Sequence, residues 1–186
     1  HSTDFKTLEA IKNFDCKIIY QNNKGYGSAI IEGIENTQTE YVCIFNADGS
    51  FDPKYLKDML ALCKNYDFIF MSRYLNEGAS DDDTLLTKIG NYTFTLLAKV
   101  FFSLKLSDVL FTYILGKTKS FQSLDLKRND FSLCVEIPVK AERMKFLYKD
   151  LPSHERKRIA GFKKVNEFRD GFKILIYMMK LFFKIK

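Results

Sequence analysis

The sequence predicts an α/β domain: a mostly parallel sheet flanked by helices, with an amphipathic helix at the C-terminal end. Three observations carry that reading. Short apolar runs at residues 17–20, 41–45 and 67–71 alternate with helical patterns, and strands separated by helices make parallel sheets with right-handed crossovers. The second run, Tyr41-Val42-Cys43-Ile44-Phe45, is bounded by turn signals and reads as a central strand buried on both faces. It passes directly into Asn46-Ala47-Asp48-Gly49-Ser50-Phe51-Asp52-Pro53, which places Asp48 at the carboxyl end of a strand, where open α/β sheets bind their ligands.

The chain in order supports each element. His1-Ser2-Thr3-Asp4 reads as a turn and cap before a helix to about residue 13, with Leu8 and Ile11 facing inward. The first strand, at 17–20, leads to Asn23-Lys24-Gly25-Tyr26-Gly27 and a helix over 28–36. Asp52 is a good N-cap and Pro53 a good first helical residue, so 53–65 is predicted helical. A strand at 67–71 ends at Ser72-Arg73-Tyr74, and a polar loop with three consecutive aspartates follows. A long helix over 84–104 is apolar round most of its circumference, so it is either deeply buried or set against something greasy. Residues 105–126 show no clear period. A helix over 131–144, despite Pro138, and a last strand at 145–149 are expected. In the helix over 166–186, Lys173, Lys180 and Lys184 fall within about 20° of one line on an otherwise apolar cylinder. That is the pattern of a helix lying at a lipid interface.

Composition narrows the partners. The chain has 186 residues and a net charge of +6, but residues 139–186 carry 14 Lys/Arg against 5 Asp/Glu. Such a basic end suits phosphate groups or an anionic membrane face. Nucleic acid is not expected, because no helix-turn-helix, zinc or aromatic ribonucleoprotein motif accompanies the charge. Cys16, Cys43, Cys63 and Cys134 show no Cys-x-x-Cys spacing, so free thiols are expected rather than a zinc site or redox pair. No apolar run reaches the roughly 20 residues of a spanning helix.

Several motifs together resemble a known family. Asn23-Lys24-Gly25-Tyr26-Gly27-Ser28-Ala29, Gly33, Asn46-Ala47-Asp48-Gly49-Ser50-Phe51-Asp52-Pro53, Ser72-Arg73-Tyr74, and Glu155-Arg156-Lys157-Arg158-Ile159-Ala160-Gly161-Phe162-Lys163-Lys164 resemble the inverting family 2 glycosyltransferases. Within them the likeness is to the dolichol-phosphate mannosyltransferase-like branch, which transfers sugar from a nucleotide sugar, often to a polyprenyl phosphate. The resemblance implies a Rossmann-like GT-A fold, a nucleotide-sugar donor and a divalent metal, Mg²⁺ or Mn²⁺. Ser2-Thr3-Asp4 resembles the end of the family's acidic Asp-Asp-Gly-Ser-Thr-Asp segment, so the resemblance implies an N-terminally truncated copy. The family's Asp-x-Asp metal motif reads Asn46-Ala47-Asp48 here.

Roles follow from the resemblance. A departing diphosphate needs its charge stabilised, and a divalent cation does so directly. Asp48 would hold that cation, with Asn46 and Ser50 as oxygen partners. Asn23, Lys24, Gly25 and Gly27 would form a donor-side loop, and Arg73 would grip the diphosphate bidentately or pair with Asp81, Asp82 or Asp83 at the surface. Arg156, Arg158, Lys163 and Lys164 would bind the acceptor phosphate. A lipid phosphate is already an anionic nucleophile; a hydroxyl acceptor would require a base, for which Asp108 is the candidate. His154 reads as a loop histidine. The expected setting is the cytoplasmic face of a membrane, as a peripheral protein. A non-catalytic scaffold and a nucleotidyltransferase of the same fold stand as the alternatives.

Overall fold

The computed structural model describes residues 6–159 and 165–184. Four strands form the main sheet: β1 (Tyr41–Ile44), β2 (Phe68–Ser72), β4 (Ile114–Lys117) and β5 (Tyr148–Pro152), in the order β1-β4-β2-β5. Two short strands, β3 (Ala79–Ser80) and β6 (His154–Glu155), pair in parallel beside it. The helices are α1 (Lys6–Ile11), α2 (Tyr26–Glu35), α3 (Leu56–Leu62), α4 (Leu85–Phe102), α5 (Thr118–Ser123), α6 (Leu133–Arg143) and α7 (Glu167–Phe183).

The period-two alternation of β2 divides the core. Phe68 and Phe70 face Ile34 of α2, Phe121 of α5 and Leu133, Ile137 and Ala141 of α6. Ile69 and Met71 face the other way, onto Met59 and Cys63 at α3. A third cluster joins Ala98 of α4, Val135 and Val139 of α6, and Ile174 and Met178 of α7. The α/β architecture is thus a sheet between helical layers.

Several expectations need correction. β1 and β2 run in the same direction, but they are not neighbours: β4 lies between them, antiparallel to both. Only β2 and β5 pair in parallel within the main sheet. β1 is an edge strand whose Tyr41, Val42 and Cys43 are half-buried, not a central strand covered on both faces. Residues 17–20 form no ladder; Ile18, Ile19 and Tyr20 are exposed, because no strand among the described residues lies beside them. The last strand begins at Tyr148 rather than at 145, where it registers with Phe68. Helix α1 buries no residue fully, and Leu8 and Ile11 are half-buried. The cap at residues 2–4 lies outside the described residues.

Local chemistry explains the elements that place the site. Asp52 accepts a 3.0 Å hydrogen bond from the Lys54 N–H, and Pro53 opens a 3₁₀ turn that leads into α3. That backbone bond holds the Asp52 carboxyl below its usual range. Thr84 and Thr87 form a reciprocal cap at the start of α4. Asn166 accepts from the Arg169 N–H, and Asp170 accepts from the Asn166 N–H, closing the start of α7.

Candidate active site

The loop after β1 opens onto a cleft of about 560 Å³. Asn46 and Asp48 line it from the sheet end, Tyr26, Phe51, Phe111 and Phe131 form an aromatic wall, and α4 and α7 close the far side. Within the loop, Asp48 Oδ1 accepts from the Ser50 N–H at 3.0 Å and from the Ser50 hydroxyl at 2.7 Å. Ser50 is itself buried. It orients the carboxylate through its own proton, and its oxygen keeps lone pairs free to accept.

A strap formed by residues 153–159 ties this loop to the acidic loop between β2 and α4. The Ile159 N–H donates to the Asp48 carbonyl at 2.8 Å and the Arg156 N–H to the Ser50 carbonyl at 2.9 Å. Gly49 adopts φ +87°, and the Ile159 side chain occupies the space where a Cβ would go, so only glycine suits that turn. On its other side the strap pairs His154 Nε2 with Asp81 at 2.9 Å and Arg158 with Asp82 at 2.6 Å. His154 therefore belongs to β6 rather than to a loop. Arg156 reaches back to the Phe51 carbonyl and to Asp52. It acts on the loop backbone, whereas Arg158 lines the cleft itself. Lys163 and Lys164 lie outside the described residues.

Arg73 lines the cleft but is held by carboxylates of the chain itself. It is 8% exposed, and its Nε and terminal nitrogen hold both oxygens of Asp108, at 2.7 and 3.0 Å. A third nitrogen contacts Glu155 at 3.3 Å and Asp83 at 3.5 Å, while Phe111 covers the guanidinium face. The bidentate face expected to meet a diphosphate is occupied by Asp108. Asp108 is itself 1% exposed and does not line the cleft, so it is not placed to meet an acceptor there. Glu155 does line the cleft, and burial pushes its carboxyl up against the opposing pull of Arg73 and Ser80.

The glycine loop is also held differently. A Cβ on Gly25 would lie 2.1 Å from the Asn129 carbonyl oxygen, and one on Gly27 2.1 Å from that of Arg128. These glycines admit the backbone of residues 128–130, and the Gly27 N–H donates to Asn129. Asn22 and Asn23 donate backbone bonds to Glu32, and Asn23 and Lys24 are exposed, away from the cleft lining. Tyr26 between them is the residue that reaches the cleft. It stacks on Phe131 and bonds Thr112 at 2.6 Å. Sequence reasoning missed Tyr26, Glu155 and the α4 and α7 walls. A lone acid inside the basic run 155–158 was the one signal that marked Glu155.

Residues 2–125 match the family described as Glycosyl transferase family 2. The chain belongs to glycosyl transferase family 2. Its fold matches solved GT-A structures. Glucosyl-3-phosphoglycerate synthase from Mycobacterium tuberculosis, in complex with Mn²⁺, UDP-glucose and phosphoglyceric acid, matches with a TM-score of 0.69 and 12% identity over 100% of this chain and 67% of that one. The same enzyme with Mg²⁺ and UDP matches at 0.68 and 10%, over 100% and 66%. A mycobacterial protein matches at 0.67 and 10%, over 100% and 63%. The chain thus spans about two thirds of the length of these proteins.

The donor set suits a hard cation that a substrate completes. No group of three His, Cys, Asp or Glu ligands occurs among the described residues. Mg²⁺, however, is usually held by one or two carboxylates together with substrate phosphates. Asp48 has one oxygen committed to Ser50 and lines the cleft beside Asn46, a neutral oxygen ligand.

Proposed function

We propose that this chain carries the donor site of a nucleotide-sugar-dependent glycosyltransferase of the dolichol-phosphate mannosyltransferase-like branch. In this reading the donor diphosphate lies against Asp48. The observation that supports it most directly is a carboxylate at the end of β1, pinned by Ser50 and by the 153–159 strap at the head of the cleft. Asp48 and Asn46 would hold Mg²⁺ or Mn²⁺, which when bound neutralises charge on the leaving diphosphate.

The chain's own residues supply the rest. Arg158, on the strap and inside the cleft, is the guanidinium that a phosphate can draw from Asp82, because that pair is partly exposed while Arg73 is locked. In this reading the aromatic wall would shield the anomeric carbon from water, which raises the worth of each polar contact. With a polyprenyl phosphate as acceptor, a phosphate oxygen forms the bond to the anomeric carbon. The bond to the β-phosphate oxygen breaks, and the nucleoside diphosphate leaves in a single inverting displacement. The apolar α4 and α7 walls and the basic strap support an acceptor with an anionic head and an apolar tail.

Calorimetry with UDP-glucose, GDP-mannose and Mn²⁺ on the wild type and on Asp48→Ala tests the site. Mn²⁺-dependent donor binding that falls at least tenfold in the variant is expected; equal binding by both removes Asp48 from the mechanism. Nucleoside diphosphate release measured with polyprenyl phosphate, and separately with phosphoglycerate, discriminates the acceptor. Turnover with phosphoglycerate alone would sink the lipid reading.

A further inference from the structure

Several polar side chains that line the cleft are engaged within the fold. Arg73 holds Glu155, Arg158 holds Asp82, Asn91 donates to the Tyr74 hydroxyl and Thr87 caps α4. Tyr26 and Thr112 differ in kind. Both line the cleft, and their hydroxyls bond each other at 2.6 Å. A hydroxyl carries one proton and two lone pairs. Whichever oxygen donates, that bond uses one of the pair's two protons, and the second remains available together with unused lone pairs. Burial raises the Tyr26 phenol above its ordinary value, so the pair is neutral and fully protonated near neutral pH.

The sheet puts this pair beside the loop that presents Asp48. In the antiparallel register of β1 and β4, Ile44 lies opposite Ile114. One step further on, the Phe45 and Tyr113 rings meet edge to face at 5.3 Å. A second step sets Thr112 opposite Asn46. Tyr26 is held there from three sides. Gly25 and Gly27 seat the backbone around it on residues 128–130, its ring stacks on Phe131 at 4.9 Å, and its hydroxyl meets Thr112, which is 6% exposed. Polar groups fixed in advance lose little conformational freedom when a ligand arrives.

We propose, resting on the donor-site reading above, that the Tyr26–Thr112 hydroxyl pair beside the Phe131 ring reads a ring hydroxyl of a neutral hexose in the donor. With the diphosphate against Asp48, the sugar is joined directly to the terminal phosphate and lies in the cleft next to Asn46. A few placed polar groups in a largely apolar pocket fix the orientation of a ligand in this way. The neutral pair offers no counter-charge to a hexuronic acid, whereas its free proton and lone pairs match a sugar hydroxyl, which both donates and accepts. A site that hydrogen-bonds a substrate hydroxyl also discriminates against the analogue lacking it, because its own polar groups are then left unpaired. Tyr26 and Thr112 therefore select and position the sugar and take no part in making or breaking bonds.

Calorimetry on the full chain with Mn²⁺ tests this by comparing UDP-glucose and GDP-mannose with UDP and GDP, on the wild type, Tyr26→Phe and Thr112→Val. Each variant keeps the shape of the side chain and removes one hydroxyl. The nucleotide sugar that the wild type binds more tightly should bind either variant about tenfold more weakly, as for one lost hydrogen bond. Its nucleoside diphosphate should bind all three proteins alike, which also shows that the variants fold. The double variant should lose little more than either single one, because the two hydroxyls act as a unit. Monodeoxy forms of the same donor then identify the hydroxyl: one of them should bind the wild type and Tyr26→Phe equally. If every monodeoxy donor keeps the tenfold difference, the pair reads no sugar hydroxyl. Equal binding of the nucleotide sugar by wild type and variants overturns the subsite while leaving the donor site in place. Equal weakening of the nucleoside diphosphate makes the pair a structural part of the loop and also overturns the subsite. If the wild type binds neither nucleotide sugar nor nucleoside diphosphate, the donor-site reading itself fails, and the subsite with it.

Discussion

Arg73 shows how far a residue's role depends on partners distant in sequence. Asp108 is 35 positions away and Glu155 82 positions away, so pairing of Arg73 with the nearby Asp83 was legible in the sequence, whereas its two more distant carboxylates were not. Asp108 is 1% exposed, and removing its partner leaves a buried charge uncompensated. Arg73→Met should therefore cost about 3–5 kcal/mol in urea unfolding, and Asp108→Leu in the same chain should recover a large part of it. If the single variant unfolds at the wild-type midpoint, Arg73 is not the centre of that cluster. The glycines of α2 give a second contrast within one helix. Gly27→Ala places a Cβ 2.1 Å from a backbone oxygen and must displace residues 128–130, whereas a Cβ on Gly33 meets nothing within 4 Å. Gly33→Ala should stabilise by about 0.5–1 kcal/mol, and Gly27→Ala should lower the midpoint. Asn46→Asp adds the second carboxylate that the family's motif carries, and should tighten Mn²⁺-dependent donor binding in calorimetry.

At the level of elements, most helices were readable, α5 excepted, and strand neighbours were not. The N-cap residues Asp52, Thr84 and Asn166 act through short-range bonds, so their helices start where side-chain chemistry places them. β4 is Ile-Leu-Gly-Lys, too short to show a period, and its insertion between β1 and β2 depends on pairing across more than 40 residues. The exposure of 17–20 has the same origin, since an apolar run becomes a strand only where a neighbour offers a ladder. The capping of α7 carries a pH signature. Burial would raise the Asp170 carboxyl, but Arg169, the Asn166 N–H and Lys173 together bring it below its ordinary value. A depressed carboxylate contributes stability above its unfolded-state pKa of about 3.9, and that contribution is lost as pH falls through the folded value. Asp170→Asn should therefore be less stable than wild type near neutrality, by about 1 kcal/mol as for other cap losses. The gap should close as unfolding curves are taken from about pH 5 down to pH 2. A gap that stays constant with pH would show that the ion pairs contribute nothing.

For the molecule as a whole, α7 decides whether the basic C-terminal segment is an appendage or part of the core. Its sequence advertised an apolar cylinder with a lysine row, and that reading left its docking open. In the fold, Ile174 and Met178 are 6% and 2% exposed, packed with Ala98, Val109, Val135 and Val139. Tyr177 lies under the Arg128 guanidinium at 4.7 Å, next to the fully buried Glu136, which accepts the backbone N–H groups of Lys127 and Arg128. The loop that carries those N–H groups is the one packed on Gly25 and Gly27. Removing residues 172–186 would thus uncover the α4–α6 core and unsettle the loop behind the cleft, beyond any loss of lipid contact. Burying two large apolar side chains contributes about 3–6 kcal/mol, against a total of about 5–15 kcal/mol for a typical domain. The truncated chain should therefore show a urea midpoint well below that of the full chain, and should bind a hydrophobic dye in the absence of denaturant. Lys180→Gln should keep the full-chain midpoint, because that side chain is exposed, outside the packed face. If instead the truncated chain unfolds at the full-chain midpoint, α7 is an independent appendage and the cleft wall it forms contributes nothing to the fold.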